Sequence, residues 1–204
     1  MQLFYKPGAC SMAAHIILNE AGAEHRLEKV DTDKGVTETG LTYRDVNPRG
    51  YVPALRLDDG DVITENAAVL QFLGDRFADL ALVPVAGTID RVRLQEVLSF
   101  LSSELHIAFG PFFSGGEMPE EKKQATTDRL TRKIAQFDGM MPDDAPFVLG
   151  DRFSVADAYA FVILNWSNFI GLPLSPWPKL EAYMARIAAR PAVQQTLQQE
   201  GLAA

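Results

Sequence analysis

A chain of 204 residues is long enough to bury a core, as one large domain or two small ones. Apolar side chains make up 47% of it, too many for a disordered chain. A formal charge of −8, from 19 basic and 27 acidic side chains with no basic cluster, excludes nucleic acid and anionic membrane as natural partners.

The single cysteine, Cys10, rules out an intrachain disulfide and a zinc site built on several thiolates. His15, His25 and His106 show no metal-ligand spacing, so no metal is expected. No start segment joins a basic region to an apolar run and a cleavage site, and no apolar run approaches the ~18–20 residues that span a bilayer. The expectation is a cytoplasmic protein.

In chain order, Gln2–Tyr5 reads as a strand ended by Pro7-Gly8. Residues 10–21 are helical, with Met12, Ala13, Ile16, Ile17 and Ala21 at spacings of three and four, and Gly22 is the stop. Residues 25–30 alternate as a strand, and 31–40 form a polar loop. Val52-Pro53 opens a strand, Asp58-Asp59-Gly60-Asp61 is a turn, and 54–64 reads as a hairpin. Residues 65–77 are helical again. The order is β-α-β, a loop, then β-β-α. After a linker around Pro84 and Gly87 no strand is predicted. Helices are expected over 89–109, 119–137, 154–168, 176–189 and 191–199, the last two opened by prolines.

Cys10 falls where the first strand has ended and the first helix begins. Unpaired N–H groups and the helix dipole favour a thiolate there, and lower its pKa below the free value of about 8.5. Ser11 offers a hydroxyl that donates to a thiolate. The competing reading is a small buried cysteine used as a hydrophobe. A dithiol oxidoreductase would carry a second cysteine where Ala13 stands. Any disulfide of Cys10 therefore forms with an outside thiol, which points to a small thiol cofactor.

Phe4-Tyr5-Lys6-Pro7-Gly8-Ala9-Cys10-Ser11 resembles the opening of the bacterial beta-class glutathione transferases. The resemblance continues in Val46-Asn47-Pro48-Arg49-Gly50-Tyr51-Val52-Pro53-Ala54-Leu55, in Thr64-Glu65-Asn66-Ala67-Ala68 and in Ser102-Ser103-Glu104-Leu105-His106. It runs on through Leu149-Gly150-Asp151-Arg152-Phe153-Ser154-Val155-Ala156-Asp157 and Leu174-Ser175-Pro176-Trp177-Pro178 to Glu200-Gly201-Leu202. Nearly the whole chain is covered, in one order. The fold this implies is α/β plus all-α: a thioredoxin-like, glutathione-binding domain over 1–80, then an all-helical domain over 88–204 carrying the electrophile pocket. It also implies a homodimer.

The resemblance implies a cis bond at Val52-Pro53, turning the Val52 main chain toward the cysteinyl part of glutathione; the alternative is a plain strand-initial proline. Glu65-Asn66 opens a helix, an anion site for the γ-glutamyl carboxylate with Glu65 holding the ammonium group, or else an ordinary cap. Ser99, Ser103 and His106 fall at i, i+4 and i+7, a polar stripe that either is solvated or lines a cleft between the domains. By resemblance His106 approaches the sulfur, to hydrogen-bond the thiolate or take its proton. Glu104, by resemblance, reaches glutathione in a partner subunit. Tyr51 and Pro53 flank Val52 in the same binding segment.

Ser154-Val155-Ala156-Asp157 has the form of a capping box and reads as structural. The hydrophobic staple from Phe153 is weak, because Ala158 is small. The sequence also departs from the pattern. Relatives often carry lysine where Gly35 stands, and Lys34 is the substitute that holds the glycyl end. Ser99 replaces a common asparagine, and Asn66-Ala67 replaces a small or hydroxyl residue followed by proline. These changes bear on glutathione affinity and not on the fold.

The implied activity is conjugation of glutathione to a small hydrophobic electrophile, with Phe109, Phe112, Phe113 and Trp166 as pocket candidates, core packing being the competing role of each taken singly. A variant is glutathione-dependent thiol transfer through Cys10. The rival readings are another glutathione-dependent enzyme on this scaffold, such as an isomerase or dehalogenase, and a non-catalytic protein-binding module.

Overall fold

The computed structural model describes residues 1–203. It divides into two compact units, one of Met1–Val83 together with the segment from Ile187 onward, the other of Pro84–Arg186.

The front unit is built on a five-stranded sheet of order β3-β2-β1-β4-β5. Its strands are β1 (Gln2–Tyr5), β2 (Arg26–Asp31), β3 (Val36–Thr37), β4 (Ala54–Arg56) and β5 (Val62–Thr64). β1 pairs in parallel with β2, with α1 (Met12–Glu20) as the crossover, and antiparallel with β4. A parallel pair needs such a crossover, whereas β4 and β5 close by the short Asp58–Asp61 turn. The two-residue edge strand β3 lies inside the segment expected to be a loop. Two residues carry no legible alternation, so only pairing with β2 defines it.

Buried residues run all round α1: Met12, Ala13, Ala14, His15, Ile16, Ile17 and Leu18. A helix apolar on every face is one enclosed by neighbours, here α2 (Asn66–Arg76) and α8 (Pro191–Gln199). The terminal helix thus packs with the front unit, although it follows the other helices in sequence. Its Ala192, Val193 and Thr196 are the buried face.

The second unit is helical: α3 (Ile89–Phe100), α4 (His106–Phe113), α5 (Glu120–Met140), α6 (Val155–Phe169) and all but the last two residues of α7 (Pro178–Ala188). The single long helix expected over 89–109 runs on to Phe113, but one wide π turn, Leu101–Leu105, interrupts it. The His106 N–H reaches the Leu101 carbonyl, five residues back. The Ser102 and Ser103 hydroxyls both donate to the Ser99 carbonyl, at 3.1 and 2.8 Å. Such back-bonding competes with the main-chain ladder and loosens the turn.

α6 is the core helix, buried nearly throughout. Its start is the expected capping box. The buried Asp157 carboxylate accepts from the Ser154 N–H at 2.8 Å and the Ser154 hydroxyl at 2.7 Å, and also from the Val148 N–H at 2.9 Å and the Tyr183 hydroxyl at 3.1 Å. Phe153, just before the cap, meets Phe147 edge-on at 6.0 Å. Among the described residues no helix is long and apolar enough to cross a membrane.

Gly74, inside α2, gives a test of the packing. In an open helix, glycine to alanine stabilises by up to about 1 kcal/mol. Here a Cβ at Gly74 would collide with Val83 Cγ1, so the clash decides the sign. Gly74→Ala is expected to destabilise by about 1–3 kcal/mol in urea unfolding. Adding Val83→Ala to it should recover part of that loss, whereas a stabilised single variant would refute this packing.

Candidate active site

In the front unit the site starts from one tight turn. The Ala9 N–H bonds the Lys6 carbonyl at 3.0 Å, with Pro7 second and Gly8, at φ 72°, third. Proline followed by a left-handed glycine is what a type II turn requires. Cys10 follows, and Ser11 occupies the N-cap position of α1. The Cys10 thiol donates to the Val52 carbonyl at 3.2 Å. The Ser11 hydroxyl is fully buried; it accepts from the Lys6 N–H at 3.2 Å and donates to the Lys6 carbonyl at 3.3 Å. Its proton closes the turn, so it is not turned toward a thiolate.

The helix start does not make Cys10 a thiolate. Part of the residue reaches solvent, yet the protein packed around the thiol pushes its pKa up to about 12. The N–H groups of Cys10 and Ser11 act in the expected downward direction but are outweighed by burial, and the Glu65 carboxylate adds to the upward shift. Cys10 is a neutral donor.

The Val52–Pro53 peptide bond is cis, as the resemblance implies, with Pro53 buried and the Tyr51 side chain exposed. The Tyr51 carbonyl accepts from the Tyr43 hydroxyl at 2.7 Å and from Asn47 Nδ2 at 2.6 Å. Tyr43 and Asn47 are both buried, and they brace the segment that leads into Val52-Pro53. Sequence reasoning assigned neither of them a role.

Glu65, just ahead of α2, has φ 66°, a left-handed conformation costly for any residue with a Cβ. Its carboxylate is exposed, 3.8 Å from Arg49 Nε. Asn66 is buried, and neither its Oδ1 nor its Nδ2 has a hydrogen-bond partner among the described residues. No side chain caps α2. The ordinary-cap reading of Glu65-Asn66 is therefore not realised; the helix start is left open, with an unpartnered amide beside it. Lys34 lies in the loop after β2, its exposed ammonium 3.0 Å from Asp31 Oδ2.

In the helical unit, His106 Nδ1 lies 2.9 Å from the Tyr159 hydroxyl. The imidazole stands edge-to-face against Trp166 at 4.8 Å, and Phe109 and Phe113 meet the same indole at 5.7 and 5.6 Å. Burial lowers the His106 pKa to about 4. At neutral pH the ring is uncharged and a weak base, which disfavours the expected role of taking a proton and leaves that of hydrogen bonding. Tyr159 was not foreseen, although it lies seven residues before Trp166, on the same face of α6. Ser99 and Ser103 are exposed, with the Ser103 hydroxyl turned to the Ser99 carbonyl. Glu104 pairs with Lys133 at 2.8 Å, so its carboxylate is held within its own unit.

Residues 8–76 match the family model of the glutathione S-transferase N-terminal domain, and residues 100–191 match that of the C-terminal domain. The chain is similar to glutathione S-transferase GstA of Escherichia coli O157:H7, with 42% identity over 202 residues covering 99% of this chain and 100% of that one. Among solved structures it is similar to a bacterial beta class glutathione S-transferase of Sphingomonas chungbukensis, at TM-score 0.93 and 45% identity over 99% of this chain and 100% of that one. A sphingomonad glutathione S-transferase complexed with glutathione superposes at TM-score 0.93, with 43% identity over 100% of both chains.

Two pH measurements follow from this geometry. The rate of Cys10 alkylation by iodoacetamide in the ligand-free protein is expected to keep rising past pH 9, because a pKa of about 12 leaves only about one thiol in ten thousand ionised at pH 8. A plateau below pH 8 would show a thiolate instead. His106 acts on stability from the acid side. Its folded pKa, about 4, lies below the ordinary 6.5, so its contribution is complete above pH 6.5 and is lost as pH falls toward 4. Between those values the urea midpoint of the parent protein should fall more than that of His106→Gln; equal losses would refute the shift.

Proposed function

The chain belongs to the glutathione S-transferase family and is a transferase, and we propose that it binds reduced glutathione on its front unit and joins the glutathione sulfur to a small apolar electrophile. The observation that carries this reading is the buried, unpartnered Asn66 amide at the uncapped start of α2, beside Glu65 at φ 66°. A buried amide with no partner calls for a ligand or water, and an open helix start supplies N–H groups for an anion. The γ-glutamyl carboxylate of glutathione fits that place, and the exposed Glu65 carboxylate receives its ammonium group. The Val52 main chain pairs with the cysteinyl residue, beside Tyr51 and Pro53. Lys34 leaves Asp31 to hold the glycyl carboxylate.

The protonation states favour conjugation over thiol transfer. A Cys10 thiol at about 12 is a poor nucleophile but a good donor. It stabilises a glutathione thiolate, whose proton has gone to solvent. That sulfur forms the new bond to carbon, and the leaving group departs with its electron pair. His106, a neutral ring, serves as a hydrogen-bonding group for an electrophile held on the helical unit and not as a general base of matched pKa. The aromatic cluster of Phe109, Phe113 and Trp166, with Phe112 beside it in α4, is the apolar surface for the electrophile. The free thiol at Cys10 suits a cytoplasmic setting.

A homodimer is part of the proposal. Exposed Ile89 and Val92 lie on α3, and Ser99, Ser103 and Glu104 follow along the same run of helix. Such a face is suited to a second copy, where Glu104 would exchange Lys133 for the partner's glutathione.

Calorimetric titration with reduced glutathione should give saturable binding at or below the millimolar range. Asn66→Ala should weaken it about tenfold, the loss of one or two hydrogen bonds to a charged group. A folded protein that shows no binding heat and no conjugation of a chloronitrobenzene would overturn the assignment.

A further inference from the structure

The terminal string Glu200-Gly201-Leu202 has as yet no role, and its carboxylate leads back to the Cys10 turn. Glu200 is buried, 6% exposed. Its Oε2 accepts the Gly8 N–H at 2.8 Å, across 192 residues of sequence. Its Oε1 lies 2.9 Å from Nδ1 of His15, a histidine with no solvent exposure. The other ring nitrogen of His15 is 2.8 Å from Gln199 Oε1. Asn19 donates to that same oxygen at 2.9 Å and to Thr196 Oγ1 at 2.8 Å. Leu202 closes over the turn: a Cβ added at Gly8 would meet its Cδ1 at 3.6 Å.

We infer that Glu200 is a positioning residue for the thiol end of the glutathione site, acting through the Gly8 N–H on the turn that carries Cys10. Three observations converge on this. A carboxylate taken out of water is costly unless every oxygen finds a donor, and here one oxygen is given to His15 and the other to a single main-chain N–H. That N–H belongs to the third residue of the Lys6–Ala9 turn, the residue whose left-handed conformation sets the direction in which the chain leaves it. Two residues later the Cys10 thiol reaches the Val52 carbonyl, so a small rotation of the turn moves a group on the proposed binding surface. An apolar contact would hold α8 against α1 as well, but it would not orient a peptide plane.

The inference rests on the reading of Cys10 and Val52 as the place of the glutathione sulfur, and its test separates the two. The full-length protein is compared with Glu200→Ala and Glu200→Gln, each shown to be folded by circular dichroism. Loss of a hydrogen bond from a charged group corresponds to about a tenfold effect. The glutathione KM of Glu200→Ala should therefore rise about tenfold, with the KM for chloronitrobenzene unchanged. The Cys10 alkylation rate at pH 9 should rise at least about fivefold as the turn is released. Glu200→Gln keeps an oxygen for Gly8 and should return both readouts to within about threefold of the parent. A purely structural role would lower the urea midpoint and the active fraction without splitting the two KM values.

A folded Glu200→Ala with unchanged glutathione KM and alkylation rate overturns the inference, and so does a Gln variant no better than Ala. Should Glu200→Ala not fold, Glu200→Asp carries the same test: its shorter carboxylate cannot serve both Gly8 and His15, and unchanged readouts there overturn the inference too. A parent protein that binds no glutathione overturns the proposed function alone, and the alkylation rates then decide the positioning.

Discussion

Antiparallel pairing of β1 with β4 sets Phe4 opposite Ala54 and Leu3 opposite Leu55, and the meeting of Cys10 with Val52 depends on that register. β1 is the middle strand, and its Leu3 and Phe4 are wholly buried. A slip of one residue would turn them to the other face of the sheet, so the register is strongly held. It places the end of β1 beside the beginning of β4. The turn that leaves β1 carries Cys10, and the segment that enters β4 carries Val52. Sequence distance between the two is large, yet a thiol and a carbonyl meet within hydrogen-bonding distance. Tyr43 and Asn47 hold the same segment through the Tyr51 carbonyl, and Glu200 holds the turn through Gly8.

Burial, more than helix dipoles, decides the charge states of Cys10 in the front unit and His106 in the helical unit. Cys10 stands where a helix start should favour a thiolate, and His106 stands on a helix with a phenol for a partner. At Cys10 removal of water outweighs the two main-chain N–H groups, at His106 it is the cause of the downward shift, and both groups are neutral at physiological pH. The front unit thus offers directed donors in place of a strong base. In the helical unit Trp166 and Tyr159 stand edge-on to His106, and Phe109 and Phe113 extend the aromatic cluster from the other contacts of Trp166.

Polar groups divide sharply between those that are satisfied and those left open. Asp157 receives four donors within its own unit, and the Glu200 carboxylate has a donor for each oxygen. Asn66, also buried, has none, and Asp138 Oδ1 and the Ser167 hydroxyl likewise lack a partner among the described residues. Of these open groups, only Asn66 stands at a helix start that no side chain caps.

Element order, the β4–β5 hairpin, the glycine and proline stops, the capping box at Ser154 and Asp157, and the family were legible in the sequence by itself. Each of these rests on local spacing, on turn chemistry or on motif strings, and needs no knowledge of distant neighbours. The two-residue strand β3 and the π turn at Leu101–Leu105 were not legible, since both are defined by hydrogen bonds and not by periodicity. The protonation of Cys10 and His106, the diversion of Ser11 to Lys6 and of Glu104 to Lys133, the bracing by Tyr43 and Asn47, and the return of Glu200 to Gly8 were decided by the tertiary structure alone. They depend on desolvation and on contacts between residues far apart in the chain, and neither quantity exists until the chain has folded.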